Sequence, residues 1–307
     1  MAGSIPASAT SERTLALDAR ALAARRGGLP RVLRSAGGGV GVAITCAFFA
    51  VALLADRIAP VDPFASVASP LSPPSVAHLM GTDDLGRDLF SGVVHGARTS
   101  LVVALAVTGL ASLLGVSVGA VSGWRGDLLD DALMRLTEFV QVVPRFFLAV
   151  VVIALFGPGL DRLVVLLGLT SWPLMARVVR AEVLSVKARE FVLAARSLGA
   201  PAPRILAREV LPNVLGPTVV VASVNAAGVI LLEAGLSFLG LGDPAVVSWG
   251  YLANNAQRFL RVAWWMAVFP GASIALAILG LNLLGDALSD ALSARPAARA
   301  VPDAGGR

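Results

Sequence analysis

The residue types that could do chemistry are scarce in this 307-residue chain, and one short polar segment holds several of them. Gly81–Asp88 reads GTDDLGRD, which mixes glycines and charges as a tight, hydrogen-bonded turn does. Two histidines, His78 and His95, flank this segment, and together with Asp83 they would offer nitrogen and oxygen ligands to a metal ion. We favour instead a turn, containing Asp83 and Arg87, that packs against a neighbouring protein surface, and we predict no metal site.

Nucleotide hydrolysis needs a Gly-Lys-Ser/Thr loop, in which the lysine holds the phosphates. The only lysine is Lys187, and Val186 precedes it, so the chain cannot hydrolyse ATP by that chemistry. We therefore do not expect this chain to hold ATP in such a loop. The single cysteine, Cys46, lies in an apolar stretch and excludes an intrachain disulfide.

The composition predicts that the elements carrying these residues lie in a lipid bilayer. Hydrophobic residues make up 56% of the chain and charged residues 15%, whereas soluble domains carry about a quarter charged residues. The net charge of +5 does not indicate nucleic acid, because no basic or aromatic platform accompanies it. The apolar runs are continuous rather than alternating, which excludes a barrel and predicts an all-α membrane protein.

We predict six transmembrane helices, each near the roughly 20 residues that cross a bilayer. They are Gly38–Ala55, Thr99–Val121, Leu136–Phe156, Leu163–Ala176, Pro217–Leu239 and Ala263–Leu284. The fourth is short and is expected to extend into polar sequence. The third contains Glu138 and Arg145, so its first turns are expected at the interface or against protein.

The distribution of lysine and arginine sets the orientation. The two tails and two of the loops hold 18 basic residues, and the opposite side holds six. By the positive-inside rule both termini are cytoplasmic, with tails at 1–37 and 291–307 and an extracellular segment before residue 99. A cleaved signal peptide is the alternative for the first span, although a 37-residue leader would be long.

Inside the predicted spans, Glu233 is the clearest candidate for a functional acid, and Asn225 shares its helix face eight residues earlier. A structural hydrogen bond is the alternative role for Glu233. Small residues recur every four positions along the second span, a spacing that allows close helix packing: Ala111, Gly115, Gly119 and Gly123.

The longest polar segment between later spans is Arg177–Gly216. It contains two helical patches, Glu190–Leu198 and Pro203–Val210, separated by Gly199, which suits a helix C-terminus. Apolar side chains fall on one face of the first patch: Phe191, Ala194, Ala195 and Leu198. Composition alone favours a helical hairpin lying on the membrane surface.

This segment resembles the EAA loop of bacterial ABC importer permeases, whose pattern is Glu-Ala-Ala, three residues, Gly, nine residues, Ile, one residue and Leu-Pro. Five residues match in register: Ala194, Ala195, Gly199, Leu211 and Pro212. Leu193 replaces the Glu and Glu209 replaces the Ile. The resemblance implies a cytoplasmic coupling element, including Arg204, that inserts into an ATPase subunit.

Longer motifs are similar to the dipeptide, oligopeptide and nickel branch of these permeases, of the DppC/OppC type. They are LSPPSVAHLMGTDDLGRDLFSGVVHGARTSL at Leu71–Leu101, LSFLGLG at Leu236–Gly242, SWG at Ser248–Gly250, PGASI at Pro270–Ile274 and NLLGDALSDAL at Asn282–Leu292. The resemblance runs from about Gly38 to Arg295. Ser289 departs from it, since the family usually has Arg there.

The resemblance implies a type I ABC importer permease fold, with the permease domain at 99–290, in the bacterial inner membrane. The implied partners are a second permease of the DppB/OppB type, two ATPase subunits that hold ATP and Mg, and an extracytoplasmic substrate-binding protein. The resemblance also implies that this chain has no catalytic residue and binds no cofactor itself. Dipeptides or oligopeptides are the implied substrates, and nickel or another small solute is the alternative. Asp83 and Arg87 would then face the partner permease or an external gate.

Two other classes of protein are alternatives to an importer permease. A secondary carrier would need intramembrane ion ligands and usually repeats, whereas Glu233 is the one firm intramembrane acid. A membrane anchor or channel would not need the EAA-like loop.

Overall fold

The computed structural model describes residues 36–59 and 61–293, and they are almost entirely helical. Within these ranges, β pairing is limited to two isolated bridges, Ser66 with Arg87 and Thr82 with Asp88. The predicted all-α class is therefore confirmed. The predicted tails, 1–37 and 291–307, lie outside the described residues except at 36–37 and 291–293.

Eleven α-helices follow one another along the described chain. They are α1 (Ala36–Leu53), α2 (Ala55–Ile58), α3 (Leu89–Arg125), α4 (Asp127–Val142), α5 (Arg145–Phe156), α6 (Leu160–Lys187), α7 (Glu190–Ser197), α8 (Ala202–Ile205), α9 (Leu211–Phe238), α10 (Trp249–Ala256) and α11 (Trp265–Ser293). A π-helical turn, Leu206–Val210, joins α8 to α9, and a 3-10 turn, Gln257–Phe259, follows α10.

Four helical stretches are long and apolar enough to cross a membrane. They are Leu89–Arg125, Leu160–Lys187, Ala202–Phe238 and Trp265–Leu292. The bent pair α4 and α5 makes a fifth if it counts as one span, and the apolar part of α1, Gly37–Leu53, is shorter. The described residues thus contain four or five spans by length and composition, where the sequence predicted six.

The predicted third span, Leu136–Phe156, is not one continuous helix. The chain breaks between α4 and α5, and the two helices meet at 71°. Pro144 causes the break, because it has no N–H to donate and it disfavours helical geometry at Val143, whose ψ of 119° is extended.

The fourth span extends into polar sequence, as expected: α6 continues from Leu160 to Lys187, through the first residues of the predicted loop. Val179, Val183 and Val186 lie on one face of this extension and are fully buried. Their burial against the bundle supplies the apolar contact that a polar helix end needs. The loop between spans therefore shrinks to the short helices from Glu190 to Val210.

The small residues of the second span lie against α6 of the same chain. A Cβ added at Gly115 would stand 2.5 Å from the Met175 Cβ, and one added at Gly123 would stand 2.8 Å from the Arg180 carbonyl oxygen. Real Cβ atoms do not approach so closely, so only glycine permits this helix separation. The repeat predicted from the sequence is thus an internal packing seam.

An ion pair joins three helices where α3 ends and α4 begins. Arg180 of α6 donates to both carboxylate oxygens of Asp130 in α4, at 2.6 and 2.5 Å. Ser122 of α3 also donates to Asp130. This forked geometry is the strongest arrangement for a guanidinium and a carboxylate, and it fastens α4 to the α3–α6 pair.

Candidate functional site

The segment between α6 and α9 folds as a compact hairpin with a defined turn. Gly199 follows the end of α7 with φ of +77°, a left-handed conformation that glycine adopts without strain. The Gly199 N–H donates to the Arg196 carbonyl at 2.9 Å, and the Ala200 N–H donates to the Ala195 carbonyl at 3.1 Å. These two bonds form a Schellman motif, so the predicted role of Gly199 as a helix C-terminus has a specific geometry.

The hairpin packs back onto the bundle through branched side chains. Val192 of α7, Ile205 of α8 and Val210 are at most 2% exposed and join the apolar cluster that contains Val183 and Val186. The face predicted from spacing missed Val192. A three- and four-residue spacing that includes Val192 and Ala195 would have found it.

The base of the hairpin is tied to the end of α3 through Trp124. The Arg196 guanidinium lies 4.8 Å from the centre of the Trp124 ring. The Lys187 ammonium lies 5.8 Å from the same ring and donates to the Trp124 carbonyl at 2.6 Å. Trp124 was not among the predicted site residues, because its role depends on a distant part of the chain.

The tip of the hairpin is exposed. Leu198 is 87% exposed, Phe191 is 40% exposed, and both Ala194 and Arg204 are also exposed. Of the predicted apolar face, Ala195 alone packs against the hairpin core. These exposed side chains are available for contact with another protein.

The remaining two residues of the predicted motif lie at the start of α9. Leu211 is half-buried and packs against the same apolar cluster, and Pro212 is exposed in the first turn of the helix. Pro212 has no N–H to donate within the continuous helical stretch Ala202–Phe238, and the π-helical turn Leu206–Val210 lies just before it. The structure therefore brings all six predicted residues into one continuous hairpin.

The polar segment before α3 forms a second cluster, at the opposite end of the bundle. The buried Asp83 carboxylate accepts hydrogen bonds from the Leu85 and Arg87 N–H groups, both at 2.8 Å. Burial raises the pKa of the Asp83 carboxyl, and the two backbone donors oppose that rise. Asp83 thus organises a tight turn, as the mixture of glycines and charges predicted.

Arg87 extends from this turn towards α10. Its guanidinium donates to the Tyr251 hydroxyl at 3.1 Å and lies 5.2 Å from the centre of the Phe64 ring. Its Nε is buried without a hydrogen-bond partner. Arg87 therefore connects the polar segment before α3 to α10 within this chain.

The two histidines have separate partners. His78 Nδ1 lies 2.9 Å from an Asp88 carboxylate oxygen, and His95 Nε2 lies 3.0 Å from the Ala59 carbonyl oxygen. Asp88 also caps α3 by accepting from the Ser91 N–H at 2.8 Å. In the described part of the chain, no three His, Cys, Asp or Glu side chains come close enough to hold a metal ion.

Glu233 is buried inside the bundle, at 2% exposed. It accepts from the Ser237 hydroxyl at 2.8 Å and from the Ser100 hydroxyl at 3.5 Å. Asn225 lies on the same helix and donates to the Thr108 hydroxyl at 3.4 Å. Both polar groups connect α9 to α3, so their contacts in this chain are between its own helices.

Several helices long and apolar enough to cross a membrane, joined by short loops and a capped hairpin, are the features of a multi-pass membrane protein. The chain belongs to the family described as "Binding-protein-dependent transport system inner membrane component", whose model matches residues 115–297. The hairpin lies inside the matched region, and Asp83 and Arg87 lie before it. The family predicted from the motifs is therefore confirmed.

Relatives extend the similarity across most of the chain. The dipeptide transport system permease protein DppC of Alkalihalophilus pseudofirmus is 38% identical over 251 residues, covering 81% of each protein. The oligopeptide transport system permease protein OppC of Bacillus subtilis is 38% identical over 221 residues, covering 72% of each. These matches confirm the predicted resemblance to the DppC/OppC type.

Among solved structures, the chain resembles one from an inward-facing conformation of the MetNI methionine ABC transporter. The TM-score is 0.55 and the sequence identity 20%, and the match covers 66% of this chain and 96% of that chain. At this identity the similarity shows a shared fold.

Proposed function

We propose that this chain is the DppC/OppC-type permease subunit of an ABC importer for dipeptides or oligopeptides. With a second permease of the DppB/OppB type it forms the translocation pathway, and a separate binding protein delivers the substrate. The observation that supports this most strongly is the 38% identity to a dipeptide permease over 81% of the chain. Nickel or another small solute is the second candidate substrate, from the wider branch that the motifs resemble.

The hairpin from Glu190 to Val210 is the proposed coupling element. Its rigid turn, buried base and exposed Leu198 and Phe191 suit insertion into a groove of an ATPase subunit. Two such subunits would bind ATP and Mg, because this chain has no Gly-Lys-Ser/Thr loop. Closure of the ATPases on ATP would move the hairpins and open the pathway outward, and hydrolysis would reset it.

Assembly tests this function. The chain alone, reconstituted in vesicles, should not import a labelled dipeptide, because its pathway face expects a second permease. Import should appear when the second permease, both ATPases, the binding protein and ATP are present. Import by this chain alone under an ion gradient would instead favour a secondary carrier, and import of nickel but of no peptide would favour the second candidate substrate.

The proposed topology has six spans in the inner membrane with both termini in the cytoplasm, and it supplies a separate prediction. We expect Ser75 to face outside and Ser197 to face the cytoplasm, because basic residues divide 18 to six between the two sides. Both serines are exposed and Cys46 is the only cysteine. In a Cys46→Ser background, an impermeant maleimide added outside should label Ser75→Cys and not Ser197→Cys. The reverse pattern would contradict the orientation.

A further inference from the structure

The break between α4 and α5 borders a cavity of about 660 Å³. Gln141 and Arg145 line it from the broken helix, and Gly228, Leu231 and Gly235 of α9 line it from the other side. A Cβ added at either glycine would meet nothing within 4 Å, so this wall is open. The cavity therefore combines a small, apolar wall with one charged side chain.

Arg145 lies at mid-height in the bundle. Its guanidinium donates to the Ser171 hydroxyl of α6 at 3.4 Å. At a rise of about 1.5 Å per residue, Ser171 stands roughly 16 Å along the helix from Leu160 and roughly 24 Å from Lys187. Each end of α6 is thus a considerable distance away, and the guanidinium lies at the depth of the apolar part of the bundle.

This charge has no carboxylate partner in the described part of the chain, where the ion pairs are His78–Asp88, Arg98–Asp56 and Arg180–Asp130. A charged side chain at this depth is costly unless it is paired or faces water, and such residues usually serve a pathway. Arg180 differs from Arg145, because its guanidinium donates to both carboxylate oxygens of Asp130. Arg145 has a single long bond to a hydroxyl and opens onto a cavity.

We propose that Arg145 binds the terminal carboxylate of a peptide in transit through this cavity. The inference rests on the proposed function. Peptides of different sequence share that carboxylate and differ in their side chains. The cavity matches this, because Arg145 is the one charged residue among the described residues that line it. A planar guanidinium can hold a carboxylate with two hydrogen bonds, and the glycines of α9 leave room for variable side chains.

The test uses the complete importer with its binding protein in vesicles. Arg145→Gln should lower peptide uptake per ATP hydrolysed by about tenfold or more, because it removes charge-assisted hydrogen bonds. Arg145→Lys keeps the charge and should recover part of the uptake. Arg135→Gln is the matched control. Arg135 is exposed on α4 and forms no ion pair or side-chain hydrogen bond with the residues that the structure describes, and its substitution removes the same charge.

A second measurement reports occupancy of the cavity rather than net uptake. In a Cys46→Ser background that keeps Arg145, Leu231→Cys on the facing wall should react with an anionic methanethiosulfonate reagent. A dipeptide delivered by the binding protein should slow that reaction during turnover, and adding Arg145→Gln should remove the slowing. A cysteine that never reacts, or that reacts at the same rate with and without peptide, would overturn the proposal.

The other outcomes separate the possible failures. Normal uptake by Arg145→Gln in an importer that takes up peptides would overturn the inference and leave the proposed function standing. Loss of the second permease from the purified Arg145→Gln complex would assign Arg145 to an ion pair between subunits and would also overturn it. A wild-type assembly that imports no peptide would refute the proposed function and this inference with it.

Discussion

Replacing Gly199 by valine should leave the protein in the membrane and remove most peptide uptake. A β-branched residue at φ of +77° is strained by about 1–3 kcal/mol. The strain would open the Schellman turn and displace α8, which includes Arg204 and Ile205. The measurement compares membrane abundance, co-purification of the ATPases and peptide uptake between wild type and variant.

Gly199→Asn is the matched control, because asparagine tolerates the left-handed conformation better than other residues with a side chain. A Cβ at this position meets nothing within 4 Å, so any difference between the two variants reports backbone strain rather than a steric clash. We expect Gly199→Asn to retain most uptake. Normal uptake and normal co-purification for Gly199→Val at equal abundance would refute the coupling role of the hairpin.

Gly119→Ala should destabilise the bundle. The new Cβ would stand 2.8 Å from the Val179 Cβ and closer still to the Ala176 carbonyl oxygen, so α3 and α6 would have to move apart. Overpacking of this kind costs about 1–3 kcal/mol. Thermal unfolding of the purified chain in detergent should show a lower midpoint.

Gly109→Ala provides the control for that measurement. It makes the same substitution on the same helix, where a Cβ meets nothing within 4 Å. Because alanine favours helix more than glycine does, its midpoint should stay equal or rise slightly. An equal fall for both variants would contradict the role of the α3–α6 seam, because a Cβ at Gly109 meets no neighbouring helix.

The sequence predicted those features that a local pattern encodes. Continuous apolar runs indicated the helices, and Gly199 indicated the end of α7. The four-residue repeat of small residues indicated a close helix contact. Each of these signals lies within one helix or one turn, where spacing and residue type suffice.

Features that depend on distant residues were missed. Arg180 was counted as one more basic loop residue, because its pairing with Asp130 requires α6 to extend beyond the apolar run. The break at Pro144 was missed because the apolar composition continues across it. Val192 was overlooked because the predicted apolar face began one residue earlier, at Phe191.

The contacts at the base of the hairpin affect the entropy that the hairpin would lose on binding a partner. Val192, Ile205 and Val210 are buried by the chain's own helices, and Trp124 is already covered by Arg196 and Lys187. If the hairpin is the coupling element that we propose, it is already ordered before an ATPase subunit binds, and association costs little conformational entropy. A small exposed surface would then be sufficient for binding, and the contact could fix the direction of movement while dissociating readily.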